Sequence, residues 1–334
     1  MTSEQQKTQS ERALESTART DLGYSYAILG TGALGGYYGA CLQRAGLDVH
    51  FLVHHDYEHV TKHGLVIESP EGDFTLPQVH AYRDVSEMPR CDVVTVTLKT
   101  TQNHLLPQLL PTVLKDDGVV LVLQNGLGIE EKVAQIVGSE RVIGGLCFLC
   151  SNKIGPGHIC HLDYKEIKLG EYAPDYQPRG ITEWMHQIAV DLERAGIPIQ
   201  LAEDLLLARW QKLVWNIPYN GLSVVLNATT DQLMADIHTR SLIEQLMREV
   251  VAGARSCDRL IHNDFIQEML EHTVQMKPYR TSMKIDYDER RPLEVEAIFG
   301  NPLRASQEAG VNLTQIAMLY QQLKFLDAKN LSNS

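Results

Sequence analysis

The sequence predicts two halves of different architecture, an α/β half followed by an all-α half. Short apolar runs typical of buried strands recur through the first half, with helical segments and turns between them. From Ala202 onward the strand signals disappear, and apolar residues recur at three- and four-residue spacing. Because 334 residues exceed the usual size of one core, we expect two domains, 24–203 and 204–330. We expect residues 1–23, which are polar, to form a mobile tail.

The first elements place a glycine-rich turn between two predicted strands. Tyr24–Leu29 is a short apolar strand, the sequence GTGALG follows at 30–35, and a helix is expected over Leu34–Ala45 before a second strand at Asp48–Val53. Strand, G-x-G-x-x-G, helix and strand within about 30 residues is the context typical of a Rossmann-like dinucleotide-binding domain. A glycine-rich turn without a ligand is the alternative, and this context disfavours it.

Each glycine of this turn has an expected task. Gly30 permits the tight turn, Gly32 lets the backbone approach a pyrophosphate, and Gly35 allows the helix to pack closely on the strand. The free N–H groups at the start of the helix then face the phosphates. The residues expected to contact the cofactor here are Gly30, Thr31, Gly32, Ala33, Leu34 and Gly35.

The end of the second strand usually indicates which nicotinamide cofactor binds. An acidic residue there holds the ribose 2′-hydroxyl of NAD, whereas a basic residue accommodates the 2′-phosphate of NADP. This chain has His54 and His55 at that point, and Asp56 follows two places late. The pattern favours NADP, with His54 as a cofactor contact, and leaves NAD open.

Polar side chains follow two further predicted strands. Lys99 follows the buried strand Cys91–Leu98, and Asn125 follows Gly118–Leu123. Because the carboxyl ends of such strands line the ligand crevice, Lys99 is a candidate contact for cofactor phosphate. By position alone, an ordinary strand-end lysine and an ordinary Asn-Gly turn remain equally good interpretations.

The remainder of the α/β half carries turns, two long strand patterns and a cysteine motif. A hairpin is expected within 64–82, strands over 141–172 with a turn at 155–157, a helix over 181–195 and a strand at 197–201.

Cys147-x-x-Cys150 followed by Cys160 resembles part of a zinc site, but the neighbours are apolar and no second C-x-x-C follows. We therefore expect no metal.

One apolar helix of the second half carries three polar side chains at constant spacing. In the stretch 207–226, Lys212, Asn216 and Asn220 stand at i, i+4 and i+8 and therefore share a helix face. Such groups are disfavoured in a dry apolar surrounding, so they either form a buried polar network or line a wet cleft. Pro218 is expected to bend this helix.

The remaining chain reads as helical, with one conspicuous polar stretch. Helices are expected over 241–257, 264–276, 294–308 and 313–327. Within residues 280–300, Ser282 fits a cap or turn hydroxyl. Glu294 and Glu296 follow Pro292 and fit first-turn acids of a helix. A cleft between the two halves is the expected place for a small-molecule substrate.

Composition excludes several classes of protein. The net charge of −12 and a pI near 5.5 argue against a nucleic-acid-binding surface, which needs a basic patch. No apolar run reaches the roughly 18 residues of a membrane span, and the N-terminus lacks the apolar core of a secretion signal. Six scattered cysteines fit a reduced, cytoplasmic protein. Both a monomer and a homodimer are compatible with the chain.

Five separated motifs, in the same order, resemble those of the ketopantoate reductases (2-dehydropantoate 2-reductases). The resemblance extends from Tyr24 to Asp327. The matching motifs are GTGALGG at 30–36, LKTTQ at 98–102, LQNGLG at 123–128, KLVWNIPYN at 212–220 and SM…RPLEVEAIFG at 282–300. The resemblance implies hydride transfer from NADPH to the C2 ketone of 2-dehydropantoate in the pathway to pantothenate.

The resemblance also implies residue roles. Lys212 matches the general acid of the family, and Lys99 matches a lysine that contacts the cofactor. The positions matching substrate-binding residues are Asn125, Asn216, Asn220, Ser282 and Glu294, of which Asn125 also borders the cofactor. Glu294 would accept the hydroxyl of the substrate.

Two departures from the family pattern bear on specificity. His54 stands where members often have Arg, and Phe299 stands directly before Gly300 where better-known members have Asn. The alternatives are a reductase of another branched 2-keto acid and a catalytically silent NADP-binding regulator, because fold alone does not assign function.

Overall fold

The computed structural model describes residues 23–262 and 264–332. The predicted mobile tail lies outside the described residues except for Gly23. The described residues form one ten-stranded sheet followed by a helical half. The α/β and all-α architecture predicted from the sequence is therefore confirmed.

The strands of the sheet all precede residue 202. They are β1 Ser25–Leu29, β2 Asp48–Leu52, β3 Leu65–Glu68, β4 Phe74–Leu76, β5 His80–Tyr82, β6 Cys91–Val96, β7 Leu114–Val122, β8 Val142–Gly155, β9 His158–Glu171 and β10 Ile199–Leu201. Their order across the sheet is β4-β3-β9-β8-β7-β6-β1-β2-β5, and β10 pairs with β9. The pairs β8–β9 and β3–β4 are antiparallel, and the other pairs are parallel.

The helices fall into two groups, one covering the sheet and one forming the second half. Those of the first group are α1 Ala33–Arg44, α2 Tyr57–His63, α3 Leu106–Val113, α4 Ile129–Val137 and α5 Glu183–Arg194. Those of the second are α6 Leu205–Val225, α7 Thr230–Ala235, α8 Ile237–Ser256, α9 Asp264–Gln275, α10 Ser282–Asp288, α11 Asn301–Glu308 and α12 Thr314–Ser332. A π-helical turn, Glu296–Gly300, precedes α11.

The sheet is covered on both faces because its central strands are apolar on both faces. In β1, Tyr26 and Ile28 belong to a core packed against α1 and α5, whereas Ala27 and Leu29 belong to a core packed against α3 and α4. This alternation follows from the two-residue period of a strand. A third core occupies the helical half.

The order of the strands determines where a ligand crevice forms. β1 pairs with β2 on one side and with β6 on the other. The strands that follow β1 in the chain are therefore added first on one side of it and later on the other. Crevices in open α/β sheets form at the carboxyl ends of the strands at such a switch point. The glycine turn after β1 and Lys99 after β6 therefore lie at the same crevice.

Several local predictions agree with the structure and a few differ in extent. The hairpin within 64–82 is β3–β4, and the turn at 155–157 joins β8 to β9. β7 begins four residues earlier than expected. α6 continues across Pro218, and the bend expected there stays a prediction. Among the described residues, no helix combines the length and the apolar character needed to cross a bilayer.

Candidate functional site

A cleft of about 1450 Å³ is lined by the carboxyl edge of the sheet and by helices of the second half. Most of the residues that the sequence nominated lie on its walls. These are Gly30, Thr31, Gly32, Ala33, Leu34, His54, Lys99, Asn125, Lys212, Asn216, Asn220 and Ser282. Gly35 and Glu294 are not part of the wall.

The glycine turn is shaped for a ligand that approaches the backbone closely. Gly30 has φ +110°, and a Cβ there would stand 2.7 Å from the Leu98 amide nitrogen. A Cβ on Gly35 would stand 2.3 Å from the Gly30 carbonyl oxygen, so this glycine serves the close packing of α1 on β1 and β6. A Cβ on Gly32 would meet nothing within 4 Å. The open face at Gly32 fits a dinucleotide pyrophosphate at the start of α1.

Alanine substitutions at these two glycines should therefore have different effects. We expect Gly35→Ala to lower the free energy of unfolding by about 1–3 kcal/mol because the new methyl overlaps backbone. Gly32→Ala should change it by at most about 0.5 kcal/mol while weakening NADPH binding, since its methyl projects into the cleft. Urea unfolding and fluorescence titration with NADPH measure the two quantities. Equal stability losses in both variants would contradict this division of roles.

At the end of β2 the histidines are exposed and the acid is paired elsewhere. His54 and His55 line the cleft, with their ring centroids 4.4 Å apart. The Asp56 carboxylate lies 2.7 Å from Lys153 Nζ and accepts a 2.7 Å hydrogen bond from the Gly157 amide. Asp56 is thus held toward the β8–β9 hairpin.

Helix α6 presents its three polar residues to the cleft. The Asp204 carboxylate caps the helix by accepting the Leu207 amide at 2.9 Å. Lys212, Asn216 and Asn220 then follow on one face and all line the cleft. The sequence left open whether these residues form a buried polar network or line a wet cleft, and their place in the structure favours the cleft.

The Lys212 amine is half-buried and has a lowered pKa. Its Nζ donates a 2.6 Å hydrogen bond to the Cys147 carbonyl and stands 5.4 Å from the centroid of the Phe148 ring. Burial is the main cause that lowers the pKa of Lys212 to about 8; the Arg209 guanidinium acts in the same direction, and Cys147 and Glu294 oppose it. An amine with this pKa can donate a proton near neutral pH.

Asn125 is positioned by a loop that docks on the helical half. Gly126 has φ +106°, and a Cβ there would stand 2.4 Å from the Ala297 carbonyl oxygen. The Leu127 amide donates a 2.9 Å hydrogen bond to that same carbonyl. The two halves are therefore joined directly beside Asn125, which explains why Gly follows it.

Lys99, from the α/β half, lies between two carboxylates of the helical half, Asp286 and Glu294. Lys99 Nζ lies 2.6 Å from Asp286 Oδ2 and 3.6 Å from Glu294 Oε2. Although burial opposes it, the Glu294 and Asp286 carboxylates raise the pKa of Lys99. Glu294 Oε1 accepts hydrogen bonds from the Thr100 amide at 2.8 Å and the Thr100 hydroxyl at 2.9 Å. Glu294 therefore lies behind the cleft wall, beside the residues that follow β6.

Ser282 is the first residue of α10, and α10 is held against α6. Asn220 Oδ1 lies 3.4 Å from the Met283 amide, and the Ser223 and Thr281 hydroxyls are 2.8 Å apart. Asn220 thus has a structural contact in addition to its place on the cleft wall. These contacts place Ser282 beside the polar face of α6.

The cysteines of the C-x-x-C pattern lie on β8 as buried thiols. Burial is the main cause that raises the pKa of Cys147 to about 11 and that of Cys150 to about 12. Within 23–262 and 264–332, no group of three or more His, Cys, Asp or Glu side chains is arranged to hold a metal ion.

Sequence reasoning missed three charged residues of this region. Asp286 accepts hydrogen bonds from both Lys99 and Arg291. Lys153 and Arg83 line the cleft near the end of β2. Asp286 stands four residues after Ser282, and this helical spacing was an available signal. The other two depend on strand pairing, which a single sequence does not reveal.

The comparisons with known proteins agree with this geometry. Residues 26–174 match the family model described as ketopantoate reductase PanE/ApbA, and residues 204–327 match its C-terminal counterpart. A 2-dehydropantoate 2-reductase of Nostoc sp. is 70% identical over 91% of this chain and 96% of its own length.

Solved structures of similar chains extend the comparison. A 2-dehydropantoate 2-reductase from Geobacter metallireducens is 42% identical with a TM-score of 0.86, over 90% of this chain and 99% of its own. One from Methylococcus capsulatus is 30% identical with a TM-score of 0.82, over 92% and 97%. The chain therefore belongs to the ketopantoate reductase PanE/ApbA family.

Proposed function

We propose that this chain reduces 2-dehydropantoate to pantoate, with hydride passing from NADPH to the C2 ketone. The observation that carries the proposal is the Lys212 amine, which shares one cleft with the glycine turn although the two belong to different halves. The 70% identical relative that is named 2-dehydropantoate 2-reductase supports the choice of substrate.

Lys212 is the proposed general acid. Hydride addition to a ketone places negative charge on the former carbonyl oxygen, and a cationic donor aimed at that oxygen lowers the barrier. Bound NADPH supplies the hydride. The Lys212 ammonium stabilises the developing alkoxide and transfers its proton to it.

The other nominated side chains hold the substrate. We propose that Asn216 and Asn220 orient the lysine and the substrate, and that Asn125 and Ser282 bind carboxylate or carbonyl oxygens. The amide of Asn125 also borders the cofactor. All four residues lie on the cleft wall, which is the support for these assignments.

Glu294 is the proposed acceptor for the terminal hydroxyl of the substrate. In this structure its Oε1 accepts both Thr100 hydrogen bonds, while its Oε2 stands 3.6 Å from Lys99 Nζ. A substrate hydroxyl would bind at Oε2 when Lys99 turns toward cofactor phosphate. A carboxylate matched to a hydroxyl discriminates strongly, because leaving it buried and unpaired is costly.

The remaining assignments follow from the same proposal. The glycine turn from Gly30 to Gly35, together with His54 and Lys99, forms the cofactor site; NADP is preferred and NAD is the weaker alternative. Residues 24–203 form the cofactor domain and 204–330 the catalytic domain. A cytoplasmic location fits the six cysteines, all of which are free thiols.

The direct test follows the oxidation of NADPH by spectrophotometry, with 2-dehydropantoate and with a branched 2-keto acid that lacks the terminal hydroxyl. We expect kcat/KM to be about 10²-fold or more higher for 2-dehydropantoate. Equal values would identify a reductase of another 2-keto acid. NADPH binding without turnover of any 2-keto acid would identify a regulator.

A further inference from the structure

The residue that follows the strand beside β2 places a guanidinium at the same end of the sheet. β5 pairs with β2 in parallel, with Leu52 opposite Tyr82. The Val53 amide continues the ladder with a 2.9 Å hydrogen bond to the Tyr82 carbonyl. Because the carboxyl ends of the two strands coincide, Arg83 and His54 emerge at the same end of the sheet, and both line the cleft.

The carboxyl end of β2 is where a Rossmann-like fold distinguishes NAD from NADP. A carboxylate at the end of β2 accepts the ribose hydroxyls of NAD, whereas a guanidinium matches the 2′-phosphate of NADP. In this chain the end of β2 offers imidazoles, which bind phosphate through fewer donors than Arg. The Arg83 guanidinium, which directly follows the adjacent strand β5, supplies the forked set of N–H donors that the end of β2 lacks.

The carboxylates on this part of the wall are already engaged. Asp56 is paired with Lys153 and with the Gly157 amide. Asp84 accepts hydrogen bonds from the Ser86 amide at 2.8 Å and the Ser86 hydroxyl at 2.7 Å. Both are therefore held by partners other than a ribose.

Arg83 itself is only weakly held. Its NH1 lies 3.4 Å from Glu58 Oε1, and the two side chains are 66% and 85% exposed. Its guanidinium carbon stands 6.0 Å from the centroid of the Tyr57 ring, at the outer limit of a cation–π contact. An exposed ion pair of this kind contributes between about 0 and 1 kcal/mol. A phosphate in the cleft can therefore displace Glu58 as the partner of the guanidinium.

We propose that Arg83, the residue directly after β5, selects NADP over NAD in this chain by pairing with the 2′-phosphate. The inference rests on the proposed use of a nicotinamide cofactor but not on the identity of the 2-keto acid. It assigns to the residue that follows β5 the guanidinium that the end of β2 lacks.

The test measures binding of two cofactor fragments to the full chain by calorimetry. Adenosine 2′,5′-bisphosphate carries the 2′-phosphate, and 5′-AMP lacks it. We expect Arg83→Gln to weaken binding of the bisphosphate by about tenfold or more and to change binding of 5′-AMP by less than about twofold. Glu58→Gln should strengthen binding of the bisphosphate by about two- to fivefold, because it removes the competing carboxylate.

A matched control is available at the other end of the strands, the amino end, away from the cleft. Arg90 precedes β6 and pairs with the exposed Asp116 at 2.8 Å, so Arg90→Gln makes the same charge change away from the cleft. We expect Arg90→Gln to leave the affinity for both fragments unchanged. An Arg83→Gln chain that binds the bisphosphate like wild type, or that loses both fragments equally, would overturn the proposal. Because no keto acid is present, failure of the proposed reaction leaves this result unaffected.

Discussion

Lys212→Ala is expected to lower kcat by about 10²-fold or more, in the range for a lost general acid. The reason is that the Lys212 amine is the cation that α6 presents to the cleft, held there by the Cys147 carbonyl at 2.6 Å. The KM for NADPH should change little, because the glycine turn belongs to the other half. Steady-state kinetics with 2-dehydropantoate measures both quantities.

Lys212→Arg and a pH profile separate proton donation from charge stabilisation. Burial lowers the pKa of Lys212 to about 8, so the protonated fraction, and with it kcat, should fall as pH rises through about 8. Arg keeps its charge at all these pH values and donates a proton poorly. We expect Lys212→Arg to recover only part of the activity and to lose this alkaline limb. A wild-type kcat in Lys212→Ala would remove Lys212 from the catalytic role.

Arg209→Met is expected to lower the free energy of unfolding by about 3–5 kcal/mol, because it leaves a buried carboxylate unpaired. Arg209 and Glu130 are 1% and 0% exposed. Arg209 Nε donates to Glu130 Oε1 at 2.8 Å, and its NH1 donates to the Gln124 carbonyl at 2.7 Å. The Tyr176 hydroxyl donates to Glu130 Oε2 at 2.9 Å. This network fixes α6, one turn before Lys212, to the strand end that precedes Asn125.

Urea unfolding measures this effect, with an exposed ion pair as the matched control. Arg248 and Glu244 are 60% and 42% exposed, so Arg248→Met should cost at most about 1 kcal/mol. The double variant Arg209→Met/Glu130→Gln should recover part of the loss, because the remaining carboxamide is uncharged. A loss in Arg209→Met no larger than that in Arg248→Met would show that the pair contributes little.

Sequence reasoning located the parts of the site whose geometry depends on residues close together in the chain. The glycine turn is one such part: the spacing of Gly30, Gly32 and Gly35 follows from local backbone geometry and the packing of one helix on one strand. The polar face of α6 is another, because residues four apart share a helix face whatever the rest of the fold does. Gly30, Gly32 and the three polar residues of α6 lie on the cleft wall.

The parts that it missed depend on contacts between distant segments. Lys99 pairs with Asp286, 187 positions away along the chain, and Glu294 Oε1 accepts two hydrogen bonds from Thr100, 194 positions away. Arg83 reaches the cofactor edge only because β5 pairs with β2. The start of β7 at Leu114 was also not predicted, because its first residues include exposed charged side chains, which are not typical of a buried strand.

The measurement that bears most directly on the role of Lys212 is a crystal structure of the full chain with NADP⁺ and 2-dehydropantoate. We expect Lys212 Nζ to leave the Cys147 carbonyl and to lie within about 3.2 Å of the C2 ketone oxygen, with the glycine turn against the pyrophosphate. A ternary complex in which the ketone oxygen faces another donor, and the amine keeps its bond to Cys147, would contradict the proposed mechanism.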